Sequence, residues 1–435
     1  MSVTGARPRI TVAVPYSVHP PQSGGQERVF FLWRGVAASF DVELVTLGEA
    51  GGRPIEAEIA AGLREIRVPK TEPYRDAERR LAQGAGNAPV ADVAPGAIVG
   101  LVPEYAACLA RSVAGASLVV VEQPFCLPAL RARGAVPLVY DAQNVEARLK
   151  AALGAELAAV ARAVEGDACA SAALVVACSD DDAAELARLY GIDAGRLHVA
   201  PNGIDTAARA PCGAAERAAR RRSLGIDGTR VAMFVGSRHP PNVEAAEAIL
   251  AFASRLPEVT FLIAGSQCLA LAGRPRPRNV ALMGTVDRAT LAAIVAVADV
   301  ALNPMRSGAG TNVKIAAYLA AGVPTVTTPI GARGYDLADG DNAVVCPLDD
   351  FPGRIRALLD DAALSDRMAA RGRRLAETRY DWQVIADGVA VALERVLAGA
   401  ALRDPHRLRR RVLRARAGRA QRGELHECSI RDHHR

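Results

Sequence analysis

The residues best placed to do chemistry lie between positions 307 and 314. Ser307-Gly308-Ala309-Gly310-Thr311-Asn312 is a loop of small residues, and Lys314 follows it by two. An apolar run ending at Pro304 precedes the loop, and an alanine-rich segment, 313–321, closed by Gly322 and Pro324, comes after it. That order predicts strand, glycine loop, helix, strand, with Thr311 and Asn312 as N-cap candidates. A lysine in the first turn opposes the helix dipole by about 0.3–1 kcal/mol. The opposition vanishes if an anion, most simply a phosphate, lies between the ammonium and the loop N–H groups. The same spacing suits a snorkelling surface lysine behind a flexible loop. The loop alone does not choose between the two.

Short Val/Ile/Leu-rich runs must position this loop. They fall at 10–15, 41–47, 118–121, 137–140, 174–178 and 197–200, and again at 230–235, 259–264, 280–283, 299–302, 323–328 and 343–345. Alanine-rich helical segments separate them, which indicates parallel sheets covered on both faces. Between the two series stands Pro201-Asn202-Gly203-Ile204-Asp205, strong turn chemistry, followed by a helical stretch at 214–224. The fold class is α/β, two doubly wound Rossmann-like domains joined near residue 205, with ligands expected where their strand ends face a central cleft.

Further candidates lie at strand ends. Gly24-Gly25 stands before a helix and could let backbone N–H groups approach a phosphate or sugar, or simply make a turn. In LVYDAQNVE (138–146), Asp141, Gln143, Asn144 and Glu146 would face the cleft or cap the next helix. FVGSRHPPN (234–242) ends a strand and opens a helix, with Pro241 suited to its first turn. Residues 66–100 mix charge, glycine and proline and suggest a mobile connection or lid.

Composition narrows the class. The 435 residues are 50% hydrophobic and only 4% aromatic, and no apolar run reaches the length of a membrane span. Eight scattered cysteines form no metal or Cys-x-x-Cys spacing, which suggests reduced thiols in a cytoplasmic protein. The net charge is +6, but residues 401–435 hold eleven arginines against four carboxylates, a surplus of seven; the rest of the chain sums to −1. That tail reads as a solvated extension or as a basic amphipathic helix on anionic lipid, at the inner face of a membrane. It has no aromatic residue to stack on bases, which argues against nucleic acid.

Taken in order, these pieces resemble the family-4 retaining glycosyltransferases of GT-B fold, over about residues 9–398. The resemblance rests on Gly24-Gly25, residues 140–146, Cys178-Ser179-Asp180 leading to 199–205, residues 234–242, Ala264-Gly265-Ser266, Met283-Gly284-Thr285-Val286 and, above all, 308–334. It implies an acceptor domain, 1–205, completed by a helix crossing back at about 380–398 from Tyr380-Asp381-Trp382, and a donor domain, 206–379. It implies a nucleotide-diphosphate sugar as co-substrate, no further cofactor and no metal, with a glycan, lipid-linked or small-molecule acceptor. Gly236, Asn242, Val286, Arg306, Gly308, Gly310, Thr311, Asn312 and Lys314 would hold the donor. Gly24 and Gly25 would close over it. Gln143, where the family usually carries histidine, and Lys314 would act at the reacting centre. The family's paired glutamates fall on Ala309 and Ala317. A second expectation, from a different class, is therefore a catalytically silent scaffold of the same fold that binds a nucleotide, a glycan or a partner enzyme.

Overall fold

A computed structural model describes residues 7–86, 90–130, 133–151, 154–226, 229–308 and 310–403. Ala309 and the arginine-rich tail from 404 onward lie outside them.

The first sheet has eight strands: β1 (Arg9–Val14), β2 (Asp41–Gly48), β3 (Ile55–Ala60), β4 (Leu63–Pro69), β5 (Leu118–Glu122), β6 (Leu138–Ala142), β7 (Leu174–Ala177) and β8 (Leu197–Val199). Their order is β3-β4-β2-β1-β5-β6-β7-β8, all parallel except β3, which pairs antiparallel with β4. The second sheet has six parallel strands: β9 (Arg230–Val235), β10 (Val259–Ala264), β11 (Val280–Gly284), β12 (Val300–Asn303), β13 (Thr325–Thr327) and β14 (Val344–Val345). Their order is β11-β10-β9-β12-β13-β14. Each expected strand is found within two residues of its place. Central strands such as β5 and β12 are buried along their whole length, as helices on both faces require.

Both sheets reverse direction at one point, between β1 and β5 in the first and between β9 and β12 in the second. The loops leaving these four strands are where a doubly wound sheet takes its ligand. Gly24-Gly25, residues 236–242 and the loop of Lys314 all follow such strands.

Residues 66–100, where a mobile connection or lid was expected, hold regular structure over much of their length, with 87–89 outside the described residues. The chain there finishes β4, caps the helix Glu72–Gly84 through the Thr71 hydroxyl, which accepts from Tyr74 N–H, and buries the Tyr74 ring fully.

The helix Trp382–Arg403 packs on the first sheet's helix Gly24–Val36. Trp382, Ile385, Ala386, Val389 and Leu393 share one core with Val29, Leu32, Trp33 and Val36. The Trp382 ring stacks on Phe31 with centroids 6.2 Å apart. Where the chain recrosses, Ile204 N–H donates to Tyr380 C=O (2.8 Å) and Trp382 N–H donates to Ile204 C=O (3.1 Å), a one-residue parallel bridge between the two passes.

Candidate active site

Lys314 is the first residue of the helix Lys314–Ala320. Its Nζ donates to Asn242 Oδ1 at 2.8 Å, lies 3.9 Å from Met305 Sδ and stands 5.2 Å from the centre of the Phe234 ring. Among the described residues no carboxylate pairs with it. Burial without a counter-charge lowers its pKa from the ordinary 10.5 to about 8.

Titration of Lys314 has two opposed consequences. Between pH 8 and 10.5 the unfolded chain keeps a proton that the folded chain has released, so unliganded stability rises with pH across that window. Diphosphate affinity should fall over the same range, by about tenfold per pH unit above 8 once the ammonium is neutral. Calorimetry from pH 7 to 10 measures one; urea melts over the same range measure the other.

The neighbouring residues are fixed by contacts the sequence does not show. Neither Thr311 nor Asn312 caps the helix: Thr311 Oγ1 accepts from Asn202 Nδ2 at 2.7 Å, and Asn312 Nδ2 donates to Gly331 C=O at 3.2 Å. Val313 takes the cap position with helical torsions and no side-chain bond. Gly308 C=O accepts from Arg333, Ser307 donates to Glu244 at 2.7 Å, and Arg306 is exposed beside them. Ala317 is partly exposed on the helix of Lys314, and Val286 packs against the second sheet's core.

Backbone contact between strand ends forms the floor. A Cβ on Gly236 would lie 2.8 Å from that of Asn242, which keeps the Asn242 amide over the strand end where Lys314 reaches it. Gly265, at φ +117°, would set a Cβ 1.9 Å from Gly236 C=O. Only glycine fits both the torsion and the space. Gly265→Ala should therefore destabilise the protein by more than about 1–3 kcal/mol and weaken nucleotide binding with it; a urea melt with wild-type midpoint would show that the strand ends yield freely.

The first domain supplies the opposite wall. A Cβ on Gly24 would come within 3.9 Å of Val313 Cγ2, and one on Gly310 within 3.0 Å of Asn144 Oδ1. Gly25 lies against Gln143 and Tyr16: its Cβ would stand 2.9 Å from Gln143 Oε1 and 3.0 Å from the Tyr16 hydroxyl. Glu27 pairs with Arg288 at 2.7 Å across the mouth, an exposed contact that orients more than it stabilises. So Gly24, Asn144 and Asn202 from one side meet Val313, Gly310 and Thr311 from the other, with Gly25, Gln143 and Tyr16 packed together behind Gly24.

Asp141 and Glu146 do not face the cleft. Asp141 is fully buried against Arg28 at 2.7 Å, and Arg28 also donates to Ala200 C=O at 2.9 Å. Glu146, equally buried, accepts from Asn144 Nδ2 at 3.2 Å with Lys150 3.6 Å away, and burial raises its pKa to about 7. Tyr16 in this wall, and Arg28 and Glu122 buried behind it, carry no sequence motif that announces a role; Asn202, from the turn at 201–205, reaches across to Thr311.

Two family models match this chain: Glycosyl transferases group 1 over residues 229–361 and Glycosyltransferase Family 4 over residues 23–208. The chain belongs to the GT-B glycosyltransferases. The phosphatidyl-myo-inositol mannosyltransferase of Mycolicibacterium smegmatis is 30% identical over 227 residues, covering 47% of this glycosyltransferase and 55% of the relative. The glycogen synthase of Mycobacterium tuberculosis is 32% identical over 227 residues, covering 50% and 52%. The chain thus spans about half the length of the curated relatives it matches. Among solved structures, sucrose-phosphate synthase of Thermosynechococcus elongatus superposes with a TM-score of 0.71 at 16% identity, over 90% of this chain and all of that one. The Anabaena protein HepE, in complex with UDP-glucose, gives 0.64 at 16% identity over 89% and 99%. These likenesses establish the two-domain fold.

Proposed function

We propose that this glycosyltransferase moves a sugar, with retention and without a metal, from a nucleotide-diphosphate sugar to a hydroxyl acceptor. The acceptor is a glycan, a lipid-linked sugar or a small molecule. The observation that carries this reading is Lys314, a partly buried ammonium that meets no carboxylate among the described residues, set at the strand-reversal point of the second sheet. In this reading a diphosphate replaces Asn242 as the partner of Nζ. The lysine then stabilises the charge that develops as the sugar–phosphate bond breaks, which is the service a preorganised cation gives most cheaply. In this reading retention calls on no side-chain nucleophile, and Asp141 and Glu146 are engaged elsewhere, Asp141 with Arg28 and Glu146 with Asn144 and Lys150. The leaving phosphate oxygen takes the acceptor proton on the same face. The crystallised complex of HepE with UDP-glucose supports a nucleotide sugar as donor.

The test is calorimetric titration with UDP, GDP, ADP and their common sugar conjugates. Saturable binding of one nucleotide supports the transferase and names its base. No binding by a well-folded sample would favour the silent scaffold, for which Ala317 and the neutral Gln143 speak.

The seven described cysteines are all unpaired, which supports a reducing, cytoplasmic setting. Among the described residues no single helix is long and apolar enough to cross a membrane. The arginine-rich tail, 401–435, would supply contact with an anionic bilayer. Its deletion should lower the fraction of protein that sediments with phosphatidylserine vesicles, and an unchanged fraction would remove the membrane from this account.

A further inference from the structure

Gln143 has two amide protons and one carbonyl oxygen, and the structure engages all three. Nε2 donates to the Tyr16 hydroxyl at 2.8 Å and to Glu122 Oε1 at 2.9 Å; Oε1 accepts from Gln123 Nε2 at 3.3 Å. While those bonds stand, the Gln143 amide has no proton left for a substrate. The Tyr16 hydroxyl does. Its oxygen accepts from Gln143, its own proton meets no acceptor among the described residues, and it lies half-buried against Gly25 at the cleft wall.

Glu122 is the fixed point beneath this pair. It is completely buried, and its second oxygen accepts from Trp33 Nε1 at 3.1 Å. The turn that follows it is strained: Gln123 has φ +59°, the one non-glycine residue with positive φ among those described. Such a torsion persists only where the surroundings impose it, and here it aims Gln123 back at Gln143. From the other side, Glu65 holds the loop after Tyr16 by accepting from Val18 N–H at 2.9 Å and His19 N–H at 3.2 Å. Both ends of the tyrosine's support are therefore anchored.

We propose that Glu122 is a positioning residue of the transfer step. Acting through Gln143, it fixes the Tyr16 hydroxyl beside Gly25, and that hydroxyl is what the substrate meets on the first-domain wall. The inference rests on the transferase reading above.

Exchanging the pair separates this role from a merely structural one. In the double variant Glu122→Gln, Gln143→Glu, the new amide still donates across to residue 143 and still accepts from Trp33, so the bonds within the core are kept. A carboxylate at 143, however, can only accept. Tyr16 must then donate to it, and its proton is no longer free for the substrate. The readouts are melting temperature, affinity for whichever nucleotide the wild type binds, and kcat for hydrolysis of the matching nucleotide sugar, with water as acceptor. The exchanged variant should melt and bind nucleotide as the wild type does, yet turn over about tenfold or more slowly, and Tyr16→Phe should match it in both respects. Adding Tyr16→Phe to the exchanged variant should cost nothing further. Wild-type turnover in either the exchanged variant or Tyr16→Phe would overturn the inference and leave the transferase reading intact. A wild type that neither binds nor hydrolyses any UDP-, GDP- or ADP-sugar would overturn both.

Discussion

Lys314→Ala is expected to weaken binding of the cognate nucleoside diphosphate by about a hundredfold without lowering the melting temperature. A hydrogen bond to a charged group contributes about 1.5–3 kcal/mol, and its upper part corresponds to two decades of affinity. Stability should move the other way. The ammonium is partly buried beside Phe234 and Met305, with no carboxylate paired to it among the described residues, and desolvation alone accounts for its lowered pKa, so at neutral pH its charge works against the fold. Alanine removes that charge, and the gain offsets the packing lost with the aliphatic stem. A calorimetric titration and a thermal scan on one preparation read both quantities. Equal nucleotide affinity in the variant would sink the anion site; lost affinity accompanied by a collapse in melting temperature would make Lys314 a structural residue.

Arg28→Ala should destabilise the fold by about 3–5 kcal/mol, the range found when one partner of a buried ion pair is removed. Arg28 and Asp141 are each about 1% exposed and 2.7 Å apart. Without the guanidinium, Asp141 loses its partner beside the buried Glu122, and the carbonyls of Ala200 and Pro201 lose their donor. Arg28→Met with Asp141→Asn should recover much of the loss, because the desolvated charges go together. Urea denaturation measures both variants. A loss under about 1 kcal/mol in Arg28→Ala would mean that water reaches Asp141 and that the pair is not truly buried. The consequence extends to the cleft, since the same linker carries Asn202, whose amide holds Thr311 in the glycine loop before Lys314.

The parallel strands were legible because burial on both faces makes them apolar throughout, and alanine-rich helices separate them. The hairpin of β3 and β4 was not, for the opposite reason. It carries Glu56, Glu58, Arg64, Glu65 and Arg67, and their charges are met across the ladder or under the loop after β1, as in Arg64 with Glu56 and Arg67 with Glu65. A strand balanced by ion pairs looks like a polar connector when read one residue at a time. In the site, the glycine loop and Lys314 were visible because torsion and charge are local properties. Tyr16, Arg28 and Glu122 were hidden because their partners lie far along the chain: Tyr16 meets Gln143 and Arg28 meets Asp141 across more than a hundred residues. The N-cap expectation for Thr311 and Asn312 failed for the same reason, since distant partners claimed both side chains.

The crossing-back helix has a bearing on how the protein is made. It fills the apolar flank left open by Val29, Leu32, Trp33 and Val36, yet it leaves the ribosome only after the whole second sheet has been synthesised. The usual order, in which the earlier domain finishes folding first, is therefore inverted. The later sheet can close around its own core while the earlier one waits with an exposed Trp33 face. During that wait the nascent chain presents a greasy surface to chaperones, and release of the last helix is what completes it.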